Sequence, residues 1–168
     1  MTLAMSEDIK GLMYCTWLPA LMSTTLGEIK ELPEKHRDRL LRRMCETCED
    51  LAMGGALGIR PGMSWEEYVK FLHEISPPIG PWTVSQTNGV YDLVYDCSVG
   101  EDGRPRCHCP LVQLGITTPL PQCCESGARL AGRMIEAATG KSVARAEVVG
   151  TPLRTGASIC HYRVHLRQ

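Results

Sequence analysis

The chain has 168 residues, 43% of them hydrophobic, and its eighteen basic and nineteen acidic side chains leave a formal charge of −1. That balance supplies no electrostatic footprint for a phosphate backbone, which excludes nucleic acid as an expected partner, and the hydrophobic content excludes a disordered chain. A chain of this length buries roughly 70% of its unfolded surface without any covalent staple, so the nine cysteines need another explanation.

Nine is an odd number, and the first residues, Met1 to Asp8, carry acid where a secretory signal would carry base. No apolar run approaches the roughly 18 residues of a membrane span. The expectation is a cytoplasmic protein with reduced thiols and no membrane partner.

Residues 5 to 24 place Ile9, Leu12, Met13, Leu18, Leu21 and Met22 at near-helical spacing, and Pro19 predicts a break or kink in that helix. A second helix begins at Pro33 and Glu34. Its apolar stripe comprises Leu40, Leu41, Met44, Cys45, Cys48, Leu51 and Ala52, and Gly54-Gly55 ends it. Cys45 and Cys48 have the spacing of a metal or redox pair. No second such pair follows and no strand precedes them, so the economical reading is ordinary buried thiols.

Gly54 to Gly62 lacks the ending of a phosphate loop and reads as a connector. Ser64 and Glu67 then form a capping box, with Met63 and Tyr68 placed as a hydrophobic staple; Tyr68, Phe71, Leu72 and Ile75 make the buried face of that helix. His36 and His73 read as surface residues. Ser76 to Pro81 breaks the helix and divides a helical region, 1–80, from a cysteine-rich region, 81–168, within one compact domain.

Beyond the break the period is two. Trp82 to Thr87 and Val90 to Ser98 flank Asn88-Gly89 as a hairpin, and a turn at Glu101 to Gly103 leads into a third strand, Arg106 to Val112. A helix follows over 121–139, with Cys124, Ala128, Ala131, Met134, Ile135 and Ala138 on one side and Gly127 and Gly132 allowing close approach. Val143 to Val149 and Ile159 to Leu166 complete the strands. The predicted fold class is α+β: N-terminal helices on a mainly antiparallel, roughly five-stranded sheet, with one helix between strands three and four.

Five cysteines mark a candidate site. Cys107 and Cys109 alternate along a strand and project together while His108 points away, Cys123 and Cys124 open a helix whose N-terminus favours a thiolate, and Cys160 faces the core with Tyr162, Val164 and Leu166. His161, Arg163 and His165 share the opposite face as a polar stripe. Cys15 and Cys97 read as small buried hydrophobes.

Three stretches carry a resemblance: Cys107-His108-Cys109-Pro110-Leu111-Val112, Cys123-Cys124-Glu125-Ser126-Gly127, and Leu153 to Tyr162 with its Arg154-x-Gly156-x-x-x-Cys160-x-Tyr162 pattern. From Val90 to Leu166 the chain resembles the L-2-amino-thiazoline-4-carboxylic acid hydrolase-like family and, more distantly, 4-vinyl-reductase-type small-molecule-binding domains. The resemblance implies an antiparallel sheet covered by helices and a small-molecule pocket beside a cysteine cluster. In the distant sensor relatives a structural zinc is held around the terminal hairpin. The first cysteine of that hairpin falls near Pro152 here, so only Cys160 carries over from it, and Cys107, Cys109, Cys123 and Cys124 are the remaining candidate ligands.

Two functions follow as expectations. The first is a metal- or thiol-dependent hydrolase acting on a C–N bond of a small heterocycle or amide, with zinc-activated water or a thiolate at Cys123 or Cys124 as nucleophile and His108 or His161 moving protons. The second is a non-catalytic binding or sensor module with a structural zinc. Both expect a small-molecule ligand in a pocket between the helical half and the sheet. A homodimer is compatible with either.

Overall fold

The computed structural model describes residues 7–54, 60, 62–75, 82–97, 103, 107, 109 and 122–167. Helix α1 (Glu7–Leu12) runs through a π-helical turn, Met13–Trp17, into α2 (Leu18–Glu31). The irregularity predicted at Pro19 thus falls one turn ahead of it, because a proline at the second position of α2 can neither donate into the preceding turn nor tolerate that turn's carbonyl. Of the expected stripe, Ile9, Leu12, Met13, Leu18 and Leu21 are exposed and Met22 is partly buried; burial begins at Leu26 and Ile29, which pack on Leu41 with Met22 and Met44 beside them.

Helix α3 (Glu34–Gly54) buries Leu41, Cys45 and Glu49, a four-residue spacing along one face. Leu40 and Leu51, assigned to that stripe from sequence, are exposed, as is Cys48. The reason is polar. Glu49 accepts hydrogen bonds from Ser126 Oγ at 2.9 Å and Arg129 Nε at 3.0 Å, and Asp50 pairs with Arg133 at 2.8 Å, so α3 turns its acidic edge toward a later helix.

Helix α4 (Trp65–Ile75) starts as the sequence predicts. The Ser64 amide donates to Glu67 Oε2 at 2.7 Å, and the Glu67 amide donates to Ser64 Oγ at 3.2 Å. Tyr68 and Leu72 are fully buried and Met63, Trp65 and Phe71 pack around them. Replacing Ser64 with alanine removes one of these two bonds and is expected to cost about 1 kcal/mol of unfolding free energy, read from urea denaturation.

Strands β1 (Trp82–Thr87) and β2 (Val90–Asp96) form the expected hairpin, with Asn88 at φ 50° and Gly89 at φ 77° supplying the two left-handed positions of a type I′ turn. Helix α5 (Cys123–Thr139), β3 (Val143–Gly150), the short helix α6 (Pro152–Thr155) and β4 (Ile159–Leu166) follow. The sheet order is β1-β2-β4-β3, antiparallel throughout. The fold is α+β, and among the described residues the sheet has four strands rather than five. The expected third strand, Arg106 to Val112, lies outside the described residues except for Cys107 and Cys109, and β2 takes β4 as its second neighbour.

Registry divides the chemistry of the sheet. Tyr91, Leu93 and Tyr95 sit opposite Val164, Tyr162 and Cys160 on the face covered by α5, where Ala128, Ala131, Met134 and Ile135 complete the core. On the other face His161 Nε2 lies 2.6 Å from Asp92 Oδ1, Arg163 Nε donates to the same oxygen at 2.8 Å, and His165 lies 3.0 Å from Glu147. Burial works against the Asp92 carboxylate, but hydrogen bonds from Arg163 and His161 outweigh it and lower its pKa. The polar stripe is therefore a neutralised outer surface. No helix among the described residues is long and apolar enough to cross a membrane.

Candidate functional site

Two groups of thiols emerge, and they differ from the single cluster expected. In the core, Cys160 is 0% exposed, and its Sγ lies 3.5 Å from that of Cys97, which directly follows β2. Cys107 is buried against both this pair and α5, hydrogen-bonding with Cys124 and Cys160. Cys124 Sγ lies 3.3 Å from Oγ1 of Thr151, a fully buried residue whose hydroxyl also accepts from the Arg154 amide at the start of α6. Above the thiols the hydroxyls of Tyr95 and Tyr162 meet at 3.3 Å. Cys109 packs against the edge of the same core.

Burial and contacts between thiols raise the pKa of Cys97, Cys107 and Cys124. A hydrogen bond from Cys124 favours the Cys107 thiolate, but the bond to Cys160 and burial outweigh it and push Cys107 up to about 11. The contact with Cys107, followed by burial, pushes Cys124 far above the ordinary thiol range despite the Thr151 hydroxyl, and burial raises Cys97. Among the described residues no group of three or more histidines, cysteines, aspartates or glutamates is placed to hold a metal ion. His108 lies outside the described residues, and His161, paired with Asp92, faces away from the thiols.

Cys123, the first residue of α5, is half-buried, and its thiol meets Cys45 of α3 rather than Cys124's partners. The two neighbouring cysteines serve different sites because successive helical residues project about 100° apart. Cys45 is 8% exposed, and the Ser126 hydroxyl reaches its carbonyl at 3.5 Å. The hydrogen bond from Cys123 is the largest influence on Cys45. Burial opposes it, Ser126 and the Arg129 guanidinium reinforce it, Glu49 opposes it weakly, and the thiol falls from 9.0 to about 6. Burial and the charges of Cys45 and Glu49 raise Cys48 instead.

Cys45 lines a cavity of about 270 Å³ between α3 and the first turn of α5. Arg37, Arg42 and Arg129 face Glu34, Asp38 and Glu125 around it. Several of these charges are already paired: Arg129 Nη2 holds Glu49 at 2.8 Å, and Glu125 is bonded to Arg154. Among the described residues Arg37 Nε is buried without a hydrogen-bond acceptor and lies 3.6 Å from Asp38 Oδ1. The described cavity lies between helices, not between the helical half and the sheet.

No family model matches the chain and no curated protein matches it. The resemblance drawn from the Cys107, Cys123 and Cys160 stretches therefore rests on those residues alone. Of the expected site residues, Cys107, Cys124 and Cys160 converge in the core and Cys123 lies against Cys45. Sequence reading assigned Cys45 and Cys97 to ordinary packing. For Cys45 a signal existed: Glu49, one turn along the same buried stripe, is a carboxylate that requires a cation, and cationic groups beside a buried cysteine acidify it.

Proposed function

We propose that the protein is a hydrolase-like enzyme that opens a C–N bond of a small amide or heterocycle, with Cys45 as its nucleophile. The observation that carries this reading is the placement of the Cys45 thiol on the wall of a cavity beside a second thiol and three guanidinium groups. At neutral pH Cys45 is mostly thiolate, so it needs no separate base. The sulfur would add to the carbon of the scissile bond, the departing nitrogen would take a proton from the Cys123 thiol or water, and water would then release the acyl group and restore both thiols. A volume of about 270 Å³ lies just under the roughly 300–1,000 Å³ of typical ligand sites, which suits a small molecule.

The test is turnover of a panel of small cyclic and acyclic amides and imidates by the full chain and by Cys45→Ser. This reading requires hydrolysis that is lost in the variant, with the fold intact by circular dichroism. Hydrolysis that survives in Cys45→Ser excludes it.

A second reading, a binding or sensor module with a structural zinc, is favoured by the convergence of Cys97, Cys107, Cys124 and Cys160. Binding would require these thiols to lose protons and draw closer. Metal analysis of protein purified without added metal separates the two. Under the zinc reading, Cys107→Ser and Cys160→Ser lose bound zinc and thermal stability together while Cys45→Ser keeps both; under the thiol reading no variant changes metal content.

A further inference from the structure

The geometry points to a second activity at the same cavity: we propose that Cys45 and Cys123 form a reversible disulfide, with a hydroperoxide as oxidant, linking α3 to the first turn of α5. The two thiols lie 78 residues apart in sequence, yet the start of α5 packs on Cys45: Ser126, one turn on from Cys123 along the same face, reaches the Cys45 carbonyl at 3.5 Å, the Cys123 thiol bears on that of Cys45, and the cavity gives a small oxidant access to Cys45. In the core pair Cys97 and Cys160, 3.5 Å apart, Cys160 is fully buried, so only Cys97 offers an oxidant any exposed sulfur. Cys48 lies one turn along the same helix and is exposed, so a Cys45–Cys48 product is the rival that peptide mapping distinguishes.

In the first step the Cys45 sulfur attacks one oxygen of the peroxide, the O–O bond breaks, and the departing oxygen takes a proton to leave as alcohol or water. Cys45 becomes a sulfenic acid. In the second step the Cys123 sulfur attacks the sulfenic sulfur, the S–S bond forms, and the hydroxyl leaves as water with the Cys123 proton. The sulfur pair has been oxidised by two electrons and the peroxide reduced by two. A small dithiol reverses the reaction by exchange. The acidity of Cys45 supports the first step. Its larger thiolate fraction, offset by the lower nucleophilicity of a more acidic thiol, leaves it about fivefold faster at pH 7 than a thiol of ordinary acidity.

The experiment treats the reduced full chain with hydrogen peroxide, blocks free thiols and maps the products by proteolysis and mass spectrometry. The expected product is a Cys45–Cys123 disulfide that dithiothreitol removes. In Cys123→Ser the expected product is a sulfenic acid at Cys45, trapped by dimedone. A disulfide mapped to Cys45–Cys48 or Cys97–Cys160, or a Cys45 thiol that stays free while Cys48 is oxidised, overturns the proposal. Neither readout requires substrate, so the disulfide can form where no hydrolysis is found, and hydrolysis can depend on Cys45 where no disulfide forms.

Discussion

Gly127→Ala is expected to destabilise the protein by about 2 kcal/mol, although alanine in a helix is intrinsically favoured over glycine by about 1 kcal/mol. A Cβ at this position would lie 2.5 Å from Cζ of Tyr162 and nearer still to its hydroxyl. Tyr162 cannot retreat: it is 5% exposed, opposite Leu93 in the β2–β4 register, with its hydroxyl on that of Tyr95. The strain would pass directly to the wall of the core thiols. Gly27, in α2 with nothing within 4 Å of a built Cβ, is the control. Gly27→Ala should raise stability by up to about 1 kcal/mol. Urea denaturation of both variants decides the matter, and a stabilising Gly127→Ala would show that α5 does not press on β4 as described.

Cys45→Ser is expected to lower turnover of a responsive substrate by a factor on the order of a thousand or more, with little loss of fold, because a serine hydroxyl at that position has no base to activate it. The change also has a pH signature. The folded thiol titrates near 6 and the unfolded one near 9.0, so between these values the unfolded chain holds more protons and stability rises with pH. Stability gained this way is fully present above 9.0 and is lost as pH falls through about 6; Cys45→Ser removes that slope. Cys107 works in the opposite sense. Its folded value of about 11 makes its contribution fall away as pH rises from 9.0 through about 11.

Local rules carried most of the fold. The Ser64-Glu67 capping box, the Asn88-Gly89 turn and the alternation from Ile159 to Leu166 each specify their own backbone within a few residues, and each is present. Strand pairing is not local. That β4 inserts between β2 and β3 depends on how α5 and α6 return the chain, and nothing in the hairpin itself reports it.

The thiol site was legible by residue type but not in all its partners. Cys107, Cys124 and Cys160 belong together, but Cys97, only one residue past β2, enters because the β2–β4 register brings it to Ser158 and Cys160. Cys123 departs because its helix starts against α3. Which residue of a long amphipathic helix meets a distant helix start is fixed by the Glu49 contacts with Ser126 and Arg129, a tertiary arrangement that the period of α3 does not encode.

The most direct measurement is the rate of Cys45 alkylation by iodoacetamide as a function of pH, with each cysteine followed by peptide mapping in the native protein. The expected result is a Cys45 rate that rises through about pH 6 and then levels, while Cys97, Cys107 and Cys124 stay unmodified until the protein unfolds. A Cys45 rate that continues to climb through pH 9.0 like an ordinary thiol, or a core cysteine that reacts first, would contradict the assignment of Cys45 as the reactive thiolate.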